Sequence, residues 1–187
     1  MTASQGSIAP FYADWPDYNR RMVEHLSGLS AGDLTLRSAP GHDHWPIWAI
    51  AAHTAGARVF WLCHVFREPG AELTPFTDPT GLGWEDELEV VRSGEEVAGA
   101  WESTWTVVQG CLDRWTPPML SETFVRRERD RVEAHSRQSI LLRLITHEAY
   151  HAGEIALIEG IHGRPQLDLW PGREWLVEPR SAVPPRG

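Results

Sequence analysis

The apolar positions of this chain recur with the period of helices. Met22, Val23, Leu26 and Leu29 give residues 16–28 an apolar side, and Pro16 suits a first turn. Ser30 followed by Asp33 has the form of a capping box. From Trp45 to Arg67 there is no proline beyond Pro46, and Glu68-Pro69-Gly70 stops the run, which predicts a second helix of about six turns. Residues 69–92 carry Pro69, Pro75, Pro79, Gly70, Gly81 and Gly83, so they read as a crossover, with Gly83–Val91 a candidate short helix. Ser93 caps a third helix, in which Val97, Trp101, Trp105, Val108 and Leu112 keep helical spacing up to Pro117-Pro118. Residues 119–135 are charged and aperiodic, a connector in which Thr123–Val132 is a candidate for extended chain. The fourth helix runs from Ser136 or Ser139 to Ile161 and ends at His162-Gly163.

Four amphipathic helices, no convincing sheet and one long connection predict an all-α fold, a four-helix bundle with a crossover. A chain of 187 residues supports one core, so residues 1–178 are expected to form a single domain. The proline-containing tail 179–187 has too little apolar content to pack and is expected to be mobile. No internal repeat is present.

Charge narrows the function classes. Twenty-six acidic residues against seventeen basic ones give a formal charge of -9, which argues against gripping a nucleic-acid backbone. Every basic residue is arginine, so lysine Schiff-base and P-loop chemistry are excluded within this chain. Without a leader-like start or a run of roughly 18 apolar residues, the expected setting is the cytoplasm, with no membrane partner. Cys63 and Cys111 lie in apolar surroundings and read as buried free thiols.

The nine histidines and ten tryptophans are the unusual counts. With His147 as angular origin at about 100° per residue, His151 falls about 40° away, Ile140 and Ile158 about 20°, and Glu154 about 20° on the other side. Two imidazoles at i and i+4 on a core-facing stripe are correctly spaced to hold one divalent cation. His53, flanked on its face by Ala49, Ala57 and Phe60, is the candidate third ligand on the second helix. Three neutral imidazoles with a fourth position left over are the donor set of an open, catalytic type of site. The alternative is three hydrogen-bonded core histidines. His25, His42, His44, His64, His135 and His162 read as surface or satisfied polar groups. Trp45, Trp48, Trp61, Trp101 and Trp105 have the spacing of core residues, some of which should line a cavity. Arg20, Arg21 and Arg58 are candidates for an anionic cofactor, with a solvated face as the default.

His147-Glu148-Ala149-Tyr150-His151 also reads H-E-x-x-H, the zincin pattern. The continuation lacks the Gly and third His of the longer motif, and Glu174 is its only plausible downstream carboxylate.

The segments GHDHWPIWAIAAHTAGARVFW and LLRLITHEAYHAGEIALIEGIHG, in this order around a broken crossover, resemble the DinB-like (YfiT-type) metalloenzymes from the first helix to Gly163. The resemblance implies an up-down-down-up four-helix bundle and a zinc or nickel ion on one histidine of the second helix and an H-x-x-x-H pair of the fourth. Those positions are His53, His147 and His151. It also implies frequent homodimers and, in some relatives, transferases or isomerases that use a low-molecular-weight thiol.

A divalent ion on three neutral ligands keeps its charge and can hold a thiol or water deprotonated at neutral pH. Cys63 lies about 15 Å along the helix from His53 and off its face, so the thiol would have to come from a small-molecule substrate. Glu154 is a candidate for orienting an imidazole or moving a proton, against a surface pairing with Arg143 or Arg58. Glu148, about 100° from the His147 direction, is the other candidate catalytic carboxylate. Three functions are open to such a chain: a thiol-dependent transferase, a metal-dependent hydrolase using Glu148 or Glu154, or a non-catalytic metal-binding protein with a closed coordination shell.

Overall fold

Four long helices form the body, each beginning where the sequence supplies a start signal. Helix α1 (Trp15–Gly28) has Pro16 in its first turn and buries Trp15, Asn19, Met22 and Leu26, one face at i, i+4, i+7 and i+11. Helix α2 is the single turn Ala31–Leu34, closed by the Ser30/Asp33 capping box. Helix α3 (Ile47–Val59) is buried nearly all round and rich in alanine, which marks it as the central helix. Helices α4 (Gly94–Arg114) and α5 (Arg137–Ile161) start at the serine caps Ser93 and Ser136. The computed structural model describes residues 6–41, 44–78, 81–128 and 130–170; the predicted tail, Glu174 and His42 lie outside them.

Helix α4 packs on α1 and α3, and α3 packs on α5. At its start α4 comes so close to α1 that a Cβ on Gly94 would stand 2.5 Å from the Leu26 carbonyl oxygen, so only glycine fits there. One apolar cluster centres on Trp48, Ile50, Ala51, Trp101 and Ile155, and a second on Leu62, Val108, Trp115, Ile140 and Leu144.

Between these clusters lies Arg58, fully buried and in contact with all four long helices. Its Nε donates to Glu148 Oε1 at 2.8 Å, and its Nη1 donates to Asn19 Oδ1 at 2.8 Å and to the Trp101 carbonyl at 3.2 Å. The guanidinium also covers the Trp101 ring at 4.2 Å. Arg58 therefore sits on no solvated face. Arg20 and Arg21 do keep to the surface, paired with Asp17 and, for Arg20, also with Glu24.

Three departures from the predicted elements have local causes. The second helix extends to Val65, close to its predicted end, but residues Phe60–Val65 widen into a π-helical turn, and Arg67 ends the run at φ 61°. Among its described residues the crossover holds only short 3-10 turns, Ala71–Leu73 and Trp84–Asp86, in place of a helix over Gly83–Val91. The charged connector forms an antiparallel hairpin, β1 (Thr123–Glu128) with β2 (Arg131–Ser136), so the fold is mostly helical with a small sheet added. Phe124 anchors the hairpin on Phe66 at a ring distance of 4.5 Å, and Arg126 pairs with Glu133 across the strands. Among the described residues no helix is long and apolar enough to cross a membrane.

Candidate metal centre

The structure brings His53 of α3 and His147 and His151 of α5 together, with one ring nitrogen from each lying within 4.8 Å of the others. Ring centroids are 5.0 Å apart for His53 and His147, 5.3 Å for His53 and His151, and 4.5 Å for the pair on α5. The α5 pair meets because i and i+4 lie one above the other. His53 reaches them because α3 packs directly on α5 through small residues.

Two carboxylates orient the cluster from outside. Glu85, on the second 3-10 turn of the crossover, lies 2.7 Å from His53 Nδ1, and Glu154 lies 2.8 Å from His151 Nδ1. A carboxylate can only accept, so both Nδ1 atoms carry the proton and both Nε2 atoms present a lone pair. Trp45 packs on the His53 ring at 4.9 Å and Tyr150 on the His151 ring at 5.1 Å.

His147 is held differently. Its Nε2 faces His53 Nε2 at 3.2 Å, while its buried Nδ1 has no hydrogen-bond partner. Nδ1 is unpaired in either tautomer: with the proton on Nε2 it is a buried orphan acceptor, and with the proton on Nδ1 it is a buried orphan donor while two lone pairs face one another at Nε2. A shared cation relieves the facing lone pairs. The 3.2 Å spacing is close to the ligand–ligand edge of about 3.3 Å expected from tetrahedral zinc bonds of about 2.0–2.1 Å to nitrogen. The donor set therefore fits a divalent ion.

Electrostatics keeps the two α5 imidazoles neutral. Burial, with the neighbouring His151, His53 and Arg143 adding to it, pushes His147 down from 6.5 to about 4. Burial also lowers His151, against the opposing pull of Glu154. At pH 7 both imidazoles have a lone pair to offer.

A cavity of about 980 Å³ opens onto His53 and His147, walled by Phe60, Trp61, Phe76, Trp84, Tyr150, Glu85 and Arg143 among others. Phe76 packs onto the helix at Gly56, where its ring would lie 3.4 Å from an added Cβ. Trp61 and the crossover residue Trp84 are thus cavity wall, whereas Trp48 and Trp101 are core.

The other sequence candidates fall in distinct places. Glu154 contacts His151, not Arg143 or Arg58. Glu148 is buried, with Oε1 on Arg58 Nε and Oε2 on Trp15 Nε1 at 2.8 Å, and it borders a separate cavity of about 360 Å³. Both its oxygens are engaged by interior donors, which is not the posture of the zincin base. Glu85 is the contact sequence reasoning missed: it is 32 positions from His53 in an aperiodic segment, and only its place in the crossover hinted at it. His25 pairs with Glu159, His135 packs on Trp61 and His64 on Phe60, so these three are structural. Cys63 is half-buried and Cys111 buried, and both are free.

A family model described as the DinB superfamily matches residues 18–155. A crystal structure of a DinB-like protein from Bacillus cereus ATCC 10987 superposes with a TM-score of 0.63 at 19% identity, covering 89% of this chain and 99% of that one. No curated protein matches the chain.

Proposed function

The chain belongs to the DinB superfamily, and from that premise we propose that it is a metal-dependent enzyme holding one zinc or nickel ion on His53, His147 and His151. The observation that carries the proposal is the convergence of three imidazoles at the wall of a large cavity, two of them oriented by carboxylates on the far nitrogen. In this reading the helices have the up-down-down-up order of the resemblance, and the Nε2 atoms are the donors. When bound, the ion supplies Lewis acidity that favours the deprotonated form of a thiol or water at neutral pH.

The protein's own residues do the rest. Glu85 and Glu154 fix the tautomers of His53 and His151 and raise their basicity as ligands. Glu154, partly exposed beside His151, is placed to accept and release a proton at the rim. The aromatic wall excludes water from an apolar acceptor. Glu148 takes no part in catalysis in this reading; it holds α1, α3 and α5 together. The cavity beside the histidines favours turnover over a closed, purely structural ion.

The reaction class we propose is transfer involving a low-molecular-weight thiol, because neither cysteine of the chain is suited to be the nucleophile. Burial pushes Cys63 up to about 11 and raises Cys111 further. A panel of small thiols with an alkylating acceptor, run with and without chelator, tests this. Chelator-sensitive thioether formation supports it. Chelator-sensitive ester hydrolysis without thiol consumption would move the reading to a hydrolase.

A further inference from the structure

Arg143 lies one helical turn before His147, on the same side of α5, and lines the same cavity. Its guanidinium rests over the Trp61 ring at 4.5 Å, and among the described residues it has no hydrogen bond or ion pair. Glu133 is within electrostatic reach of it but is engaged by Arg126 at 3.4 Å and by His135 at 3.1 Å.

The rest of the cavity gives that cation a meaning. Asp78, Glu85 and Asp86 make the crossover wall acidic, and Phe60, Trp61 and Tyr150 make the wall beside Arg143 aromatic. A multiply charged anion such as a phosphate would meet the acidic wall, whereas a single carboxylate can take the planar fork of the arginine and lay an apolar body along the aromatic rings. The stacking of Arg143 on Trp61 holds the fork in place at little further entropic cost.

We propose that Arg143 is the anion-recognising residue of the site, so that the substrate is a small, largely apolar or aromatic monocarboxylate whose reactive end reaches the three histidines. The proposal rests on the metal-site reading for what happens at that end, but carboxylate recognition itself does not need the ion.

The test titrates 4-fluorobenzoate and its neutral isostere 4-fluorobenzamide into metal-free and zinc-treated protein, monitored by ¹⁹F NMR. Arg143 is exposed, so R143Q and R143K leave the core untouched. Wild type should bind the acid about tenfold or more tighter than the amide in both metal states, the value expected of a charged hydrogen bond. R143Q should erase that preference, R143K should keep part of it, and both should take up zinc as wild type does. Wild type that binds neither probe, or both equally, overturns the proposal. So does a preference that survives in R143Q or exists only with zinc, since the ion would then hold the carboxylate. A preference lost in R143Q in a protein that takes up no zinc would keep the arginine site and remove the metal reading.

Discussion

His53 and His147 meet Nε2 to Nε2 at 3.2 Å across the contact of α3 with α5, from positions 94 residues apart. Burial and its neighbours hold His147 down to about 4, against 6.5 for an ordinary imidazole. Between those two values the unfolded chain binds the proton and the folded one does not, so stability falls as pH falls through this window. Metal-free protein should therefore need less urea to unfold at about pH 4.5 than at pH 7, and H147A should show a shallower pH dependence. A midpoint independent of pH in wild type would contradict the neutral, desolvated His147.

Glu85 holds the His53 imidazole, and Glu154 the His151 imidazole, by Nδ1. Glu85→Gln and Glu154→Gln should each weaken zinc binding by about 10–100-fold without removing it, the range for such outer carboxylates. Competition against a chelating dye measures this. Unchanged affinity in both variants would mean that the two carboxylates do not tune the site.

Breaking the buried Arg58–Glu148 pair from one side leaves an uncompensated charge among four helices. Arg58→Ala should cost about 3–5 kcal/mol in urea unfolding, while Arg58→Met with Glu148→Leu should cost less than the sum of the single changes. In Glu148→Gln, zinc stoichiometry should stay that of wild type. Loss of the ion there would return Glu148 to the metal site.

Cys63, pushed up to about 11 by burial, should react slowly with iodoacetamide in native protein at pH 8, and Cys111 more slowly still. Both should alkylate readily in urea, as mass spectrometry will show. Rapid native labelling of Cys63 would make it a rival to an external thiol.

The histidine pair on α5 is legible in the sequence because i, i+4 spacing on an apolar stripe is a purely local property, and His53 because alanines flank it at i±4. Long-range partners are not. Arg58 sits on the same helix as His53, and angle alone does not decide whether it pairs with Glu148 or Glu154; burial decides for Glu148. Glu85 has no periodic neighbours to give it a face. The π-helical turn at Phe60–Val65 keeps the composition of an ordinary helix while shifting the phase of the residues after it. The hairpin 123–136 is hard to read because Arg126 and Glu133 lie on the half-buried face with Phe124 while Val125 and Val132 are exposed on the other, and because it is anchored through Phe124 on Phe66, far away in the chain.

The central claim is that the three histidines hold one ion. Elemental mass spectrometry on protein purified without a metal-affinity column, with His53→Ala, His147→Ala and His151→Ala alongside, tests it most directly. The account predicts about one zinc or nickel per wild-type chain, lost in each variant while circular dichroism shows the helices intact. Wild type that comes out metal-free and also refuses added zinc and nickel would contradict it, and His53, His147 and His151 would then be core histidines hydrogen-bonded to one another and to Glu85 and Glu154.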